Sequence, residues 1–297
     1  DEGSMVFTPG TNGVAVEVRG SFSANRYLSD EGVFVIEDGQ PVVQGVDQLE
    51  FLLTLPETTA EHPAPFPLVI HNHGLTGTKE EDMGMKRAQA RAGFATIAID
   101  AVMHGSRKLP GGMDITNFFG IDTSSGSFNM PAARDNFRQT FLDNVALAEL
   151  ATQLSGMDLL PLAAPDGQPE LAASPLYLTG HSLGASIGAA VTALSPRIAI
   201  ANLCAGGGGV LNILLRGQVF GIFITALKPE GTTDADIRRF FPVLQTLIER
   251  GDPANYARLV ASEPLTDIGC SAKHVLYQEV ADHTFVPNIT NELLSRG

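Results

Sequence analysis

The chain contains no tryptophan, only two cysteines and few basic residues for its 297-residue length. Lys and Arg number 19 against 33 Asp and Glu, a formal net charge of −14, with no basic run. Such a surface repels a phosphate backbone, so the sequence argues against nucleic-acid binding and against charge-driven adsorption to anionic membranes. Cys204 and Cys270 lie in apolar, strand-like contexts, which favours two buried thiols over a disulfide and leaves the redox compartment open.

Long apolar runs are also scarce. The only membrane-like stretch, residues 210–227, is interrupted by Arg216, Gln218 and two glycines. An arginine near the middle of a lone span costs at least about 2.5 kcal/mol, so the stretch predicts a cap helix and no stable membrane span. Asp1 is not a natural start, and we expect that residues have been removed before it.

The apolar pattern predicts an α/β fold. Residues 14–55 have β character with a hairpin signal at Asp38-Gly39, and a proline-rich link follows over residues 56–67. From there apolar strands alternate with helices, which is typical of a mostly parallel, doubly wound sheet covered on both faces. We therefore predict an antiparallel N-terminal β extension over residues 1–60 and a core over 61–297. Residues 210–265 are predicted to form a helical cap insertion in that core.

The glycine-flanked serine in residues 180–184, Gly-His-Ser-Leu-Gly, is the clearest chemical signal. An apolar strand precedes it and a helix of small residues follows, so the chain must turn sharply at Ser182. Such a turn raises the hydroxyl above the sheet at a helix N-terminus, where free amides favour developing negative charge. Ser182 is therefore the predicted nucleophile.

A second loop supplies the amides that such a nucleophile needs. Residues 68–77 form a strand that runs into His73-Gly74-Leu75-Thr76-Gly77, an H-G-x-x-G pattern. We assign the backbone N–H groups of Leu75 and Leu183 to an oxyanion hole. His71 and His73 could suggest a metal, but no carboxylate lies nearby in the sequence, so no metal is predicted.

An acid is expected near the other end of the chain. The strand over residues 273–280 ends in Asp282, which opens a D-x-x-x-V-P turn. Asp282 is the best candidate to orient a catalytic histidine. Its alternative role is a hydrogen bond that only stabilises the turn.

Taken together, these motifs resemble the α/β-hydrolase fold of serine esterases and lipases. The segments 67–105, 133–139 (Ala-Arg-Asp-Asn-Phe-Arg-Gln), 252–256 (Asp-Pro-Ala-Asn-Tyr) and the Asp282 turn resemble, more narrowly, bacterial extracellular or virulence-factor lipases. That resemblance implies carboxylic-ester hydrolysis, with lipids or lysophospholipids among the substrates, and no metal or organic cofactor. It also implies a secreted or cell-envelope location.

The catalytic base is where this sequence departs from the family pattern. In that pattern the histidine follows a further strand beyond the acid, whereas this sequence ends at Gly297. Two interpretations stay open: the base is His283, oriented by Asp252 or another acid, or it belongs to a C-terminal strand and loop supplied by a missing segment or a second chain. We favour the second, because neighbours such as Asp282 and His283 point apart along an extended segment.

The predicted function is that of a serine carboxylester hydrolase acting through an acyl-enzyme on a hydrophobic small-molecule or lipid ester. The predicted substrate contacts are His73, Gly74, His181, Phe220 and Phe223. The alternatives are a peptidase or other acyl hydrolase on the same scaffold, and a non-catalytic, hydrolase-like binding module. Arg134 and Arg138, four residues apart on one helix, could bind an anion, but a buried ionic network is the favoured interpretation.

Overall fold

A computed structural model describes residues 5–159, 166–218, 220–222 and 230–296. Its strands, numbered in chain order, are β1 Val6–Pro9, β2 Val14–Arg26, β3 Ile36–Glu37, β4 Gln40–Pro41, β5 Gly45–Pro56, β6 Phe66–Asn72, β7 Ala95–Ile99, β8 Ile121–Asp122, β9 Ser127–Phe128, β10 Leu171–His181, β11 Ile198–Cys204 and β12 His274–Gln278. Its α-helices are α1 Met83–Arg91, α2 Asp114–Phe118, α3 Met130–Leu154, α4 Leu183–Leu194, α5 Val210–Arg216, α6 Asp234–Ile248, α7 Ala254–Ala261 and α8 Asn288–Ser295. Short 3₁₀ turns lie at 105–107, 249–251 and 266–268.

Eight strands form one mixed sheet in the order β1-β2-β5-β7-β6-β10-β11-β12. Five neighbouring strands of this sheet run parallel: β7, β6, β10, β11 and β12. Antiparallel pairs at one side add β1, β2 and β5. The predicted α/β class, with its antiparallel N-terminal portion, is confirmed. The N-terminal strands continue the main sheet, since β5 pairs with β7 through Phe51 and Ile99.

Two apolar cores cover the faces of the sheet, as its composition predicts. One contains α4, the middle of α3 and the aromatic side chains of residues 118–141, and the other packs the N-terminal strands against the C-terminal end of α3. The Asp38-Gly39 hairpin forms as well, but it joins only the two-residue strands β3 and β4. The longer antiparallel pairing is between β2 and β5.

The stretch expected to form the cap contains α5, α6 and α7 in its described part. None of the helices in the described ranges combines the length and the apolar composition needed to cross a membrane. The division of the chain into an extension, a core and a cap insertion stays a prediction.

Candidate active site

Ser182 lies in the sharp turn between β10 and α4, where the sequence places it. Its φ of 54° and ψ of −117° are a backbone conformation that non-glycine residues rarely adopt and that costs roughly 1–3 kcal/mol. The flanking glycines permit the turn, because a methyl group at Gly184 would overlap the Asn72 carbonyl and one at Gly180 would meet the backbone of Gly184. Strain maintained by such close backbone packing is typical of a functional residue.

The backbone N–H groups of the two predicted oxyanion donors are unpaired in the described part of the chain. Those of Leu75 and Leu183 have no hydrogen-bond partner within the described ranges. Leu183 is the first residue of α4, so its N–H has no intrahelical acceptor and lies at the positive end of the helix dipole. Both residues line the same cavity as Ser182. Their role as oxyanion donors stays a prediction.

The loop that carries Leu75 lies directly against the serine turn. A methyl group at Gly74 would be 3.7 Å from the Ser182 Cβ and 3.3 Å from the His181 Nδ1. Gly74 therefore lets the two loops approach each other. His181 itself is exposed, next to Gly74, and its substrate contact stays a prediction.

His73 stabilises this loop through its ring. Its Nδ1 donates to the Gly74 carbonyl at 2.8 Å, and its Nε2 accepts from the Ala101 N–H at 3.0 Å. Burial lowers the pKa of His73 to about 4, so the ring is neutral at pH 7. Because both nitrogens are used by the backbone and the side chain is buried, the position does not support the predicted contact with substrate and gives His73 a positioning role.

Asp100 ties the same loop to the segment after β7. Its carboxylate accepts from the Lys79 N–H at 2.7 Å, from the Lys79 Nζ at 2.8 Å and from the Ser106 N–H at 2.9 Å. Burial alone would raise the pKa of Asp100, but these hydrogen bonds hold it below its ordinary value. The ionised Asp100 thus fixes the far end of the loop that carries Leu75. Sequence reasoning missed this pair, although both residues follow strands of the parallel sheet.

His71 is not placed to bind a metal with His73. Its Nε2 lies 3.0 Å from the Asp82 Oδ2, and its side chain is wholly buried. Burial lowers the pKa of His71, whereas the hydrogen bond from His71 lowers that of Asp82, so a neutral imidazole donates to a carboxylate. This pair joins the end of β6 to the start of α1.

Asp282 lies beyond the C-terminal end of β12, as expected of the acid. It is exposed, with a left-handed φ of 53°, and its N–H donates to the Asn288 Oδ1 at 2.9 Å. Its carboxylate has no hydrogen-bond partner in the described part of the chain. A strained, unpaired acid at a strand end is consistent with orienting an imidazole, which stays a prediction.

The orientation of the His283 ring does not suit a catalytic base. Its Nδ1 accepts the N–H groups of Phe285 at 3.2 Å and Val286 at 3.0 Å. The proton of the neutral ring must then be on Nε2, whereas a base acting through Nε2 needs that nitrogen free and an acid at Nδ1. The Ser182 hydroxyl likewise has no imidazole partner among residues 5–159, 166–218, 220–222 and 230–296.

Asp252 cannot orient His283, because it is fully committed elsewhere. The wholly buried carboxylate accepts the N–H groups of Gly209, Val210 and Ala254 at 2.7, 2.9 and 3.0 Å. It therefore caps the first turn of α5 and holds it to α7. The signal available in the sequence was its position before Pro253, which is typical of a helix start.

Arg134 and Arg138 form the buried ionic network that the sequence favours. Both donate to Asp135, at 2.6 to 2.8 Å, and Asp135 also accepts the Phe34 N–H. The guanidinium of Arg138 lies 4.2 Å from the centre of the Phe34 ring. These contacts attach the segment after β2 to α3 and leave no open anion site there.

Outside this region, one group of carboxylates in the described ranges has oxygens close enough for a cation: Asp158, Asp166 and Glu170, within 4.8 Å of one another. Each accepts a backbone N–H of the adjoining loop, from Gly167, Gln168 and Leu159 respectively. Contacts of this kind stabilise a loop without a metal.

A small apolar cavity opens beside the serine. It has a volume of about 40 Å³, and its walls include Phe119, Phe137, Phe220, Val210 and Ile213. Phe220 was predicted to contact the substrate, and it lines this cavity with Ser182. Phe223, the other predicted aromatic contact, lies outside the described residues. The contribution of Phe119 and Phe137 was not foreseen.

Comparisons with known proteins agree with this architecture. No protein-family model and no curated protein matches the sequence. Among solved structures, the chain is similar to acetyl xylan esterase 1 from Thermoanaerobacterium sp. JW/SL YS485, with a TM-score of 0.54, 16% identity and 100% of this chain and 88% of that chain covered. It is also similar to an acetyl xylan esterase from Paenibacillus sp. R4, with a TM-score of 0.53, 13% identity and coverage of 99% and 86%. The chain has the α/β-hydrolase fold.

Proposed function

We propose that this protein is a serine hydrolase of carboxylic esters that works through an acyl-enzyme. The observation that carries the proposal is the convergence on one cavity of a strained serine and two unpaired backbone N–H groups, from Leu75 and Leu183. Strain, unpaired donors and a helix N-terminus together are expected where negative charge develops in a reaction. The esterase names of the two similar structures support the same class.

The proposed reaction has two stages. The Ser182 oxygen bonds to the acyl carbon while a base takes the hydroxyl proton, and the carbonyl oxygen becomes negative facing the N–H groups of Leu75 and Leu183. Collapse of this intermediate breaks the bond to the alcohol oxygen, which receives the proton from the base. Water then attacks the acyl-enzyme in the same way and releases the carboxylic acid. Asp282 orients the base, which we propose is not His283, because Nδ1 of that ring already accepts two backbone N–H groups.

The direct test is covalent labelling of Ser182. A fluorophosphonate should add to Ser182, as located by peptide mass spectrometry, and p-nitrophenyl acetate should be hydrolysed. Ser182→Ala should abolish both, whereas Ser127→Ala, which changes an exposed serine, should change neither. Full turnover by Ser182→Ala would refute the proposal. Comparison of ester with anilide substrates separates an esterase from a peptidase.

The second candidate is a hydrolase-like binding module without catalysis. It is favoured by one observation, the orientation of His283, which leaves the serine hydroxyl without an imidazole in the described part of the chain. Loss of the base alone should lower turnover by several orders of magnitude. Several turnovers of p-nitrophenyl acetate per protein chain, lost in Ser182→Ala, would exclude this candidate. Ligand binding without any labelling of Ser182 would support it.

A further inference from the structure

We propose that the cavity beside Ser182 is an acyl site for chains of two to four carbons, and that Phe119 and Phe220 set this limit. The inference rests on the proposed ester hydrolysis and adds its substrate class. It narrows the predicted hydrophobic small-molecule or lipid ester to esters of short alkyl acids. Three properties of the cavity set this limit: its size, its polarity and its rigidity.

Size gives the first limit. The cavity measures about 40 Å³. One water molecule needs roughly 10–15 Å³ on a comparable measure, so the space corresponds to roughly three water-sized groups. An acetyl group fits with room to spare, and a butyryl group fills it.

The character of the walls gives the second limit. Apart from Ser182, the polar side chain on the wall is Ser186, whose hydroxyl donates to the Gly207 carbonyl at 2.8 Å and accepts the Gly207 N–H at 2.9 Å. The Ser186 hydroxyl has no free proton to donate to a ligand, because its proton and its oxygen are both hydrogen-bonded to Gly207. A charged or hydroxylated acyl group would therefore lose hydrogen bonds on entry, and a plain alkyl acyl group is favoured.

The aromatic wall is fixed in place. Phe119 packs edge to face with Phe220, with ring centres 4.9 Å apart, and lies 5.4 Å from Phe118 and 5.9 Å from Phe137. All four rings are buried. The Asn136 side chain also donates to the carbonyls of Asn117 and Phe118, which attaches α2 to α3. A longer chain would have to displace rings that hold one another, so the cavity does not widen readily.

Chain-length selectivity tests the inference. In an open apolar channel each added methylene should raise kcat/KM by about fourfold, through burial of one CH₂. In this cavity we expect the reverse, with kcat/KM for p-nitrophenyl octanoate at least about tenfold below that for the acetate and butyrate. Phe220→Ala and Phe119→Ala should each shift the octanoate-to-acetate ratio at least about tenfold towards octanoate. Phe220→Leu, a milder change that keeps an apolar side chain, should shift it less.

Phe141→Leu is the matched control. Phe141 is as buried as the lining rings and its ring centre lies 6.1 Å from that of Phe137, but it does not line the cavity. This variant should leave the ratio within about twofold of the wild-type value, because Phe141 does not line the cavity. Each variant is first checked for cooperative thermal unfolding. If the alanine variants do not fold, the comparison of Phe220→Leu with Phe141→Leu decides.

The outcomes separate this inference from the proposed function. Octanoate hydrolysis as efficient as acetate hydrolysis in the wild type, or an unchanged ratio in the folded Phe220 variants, overturns the short-acyl site while ester hydrolysis stands. Absence of both ester turnover and phosphonate labelling at Ser182 overturns both. A reversal of selectivity in the Phe220 and Phe119 variants alone supports the inference.

Discussion

Lowering the pH from 7 to 5 should destabilise the protein by about 2 kcal/mol through His73 alone. Burial lowers the pKa of this histidine from 6.5 to about 4 in the folded state. At a pH between these two pKa values, the unfolded chain binds a proton at His73 that the folded chain does not. The contribution of His73 to the free energy of unfolding is therefore complete above pH 6.5 and is lost as the pH falls towards the pKa of the folded state. At pH 5 the unfolded state is mostly protonated and the folded state is not, which gives the stated magnitude.

Urea unfolding at pH 7, 6 and 5 measures this effect. Circular dichroism is the suitable probe, because the chain lacks tryptophan. His73→Asn removes the titrating group and should reduce the loss of stability between pH 7 and pH 5 by about 2 kcal/mol, even though it lowers stability at pH 7. His71 and His104, whose pKa values burial also lowers, contribute with the same sign in both proteins and cancel in the comparison.

His274→Asn is the control for this experiment, since it removes an exposed histidine from β12. An identical pH dependence in His73→Asn and the wild type would refute the reasoning, because it would mean that His73 takes up its proton equally in the folded and unfolded chain. A steeper dependence in His73→Asn would refute it as well.

Two further predictions concern the serine turn and the acids. Gly184→Ala should destabilise the protein by about 1–3 kcal/mol and prevent labelling of Ser182, because the added methyl overlaps the Asn72 carbonyl. Gly84→Ala in α1, where the methyl meets open space, is the control and should be neutral or stabilise by up to about 1 kcal/mol. Equal thermal unfolding of the two variants would contradict this prediction. Asp252→Asn should lower the free energy of unfolding in urea by about 2–3 kcal/mol, since it weakens hydrogen bonds to a buried charge. Asp282→Asn should change that free energy by less than about 0.5 kcal/mol and yet lower ester turnover. The opposite ranking in stability would reverse the roles assigned to the two acids.

The sheet and its order of elements could be predicted because apolar runs and turn residues dominate local structure. The strand predicted over residues 273–280 forms over His274–Gln278, and the strand predicted to run into His73-Gly74 forms over Phe66–Asn72. The serine turn was predictable for a different reason. Only glycine fits at positions 180 and 184, so the sequence itself records the close packing there.

The finer parts of the site could not be predicted, because they depend on contacts between distant segments. The Nε2 atom of His73 accepts the N–H of Ala101, and the carboxylate of Asp252 accepts the N–H groups of Gly209 and Val210, more than forty residues away. For His283, the less favoured of the two interpretations of the base, the sequence did not show that its Nδ1 accepts N–H groups from its own turn. Phe119 lines the cavity from the end of α2, which the Asn136 side chain attaches to α3.

The attachment of α2 also means that two groups of residues at the site are held by different parts of the fold. Ser182, Leu75 and Asp282 follow strands of the sheet, so their positions depend on strand register. Phe118 and Phe119 come from a short helix between β7 and α3 that belongs to no strand of the main sheet. Exchange of residues 113–120 as a cassette, with Asn136 kept as its anchor, would therefore offer a route to altered selectivity that leaves the register of the parallel strands intact. A library confined to that cassette is a compact starting point for engineering or for laboratory evolution.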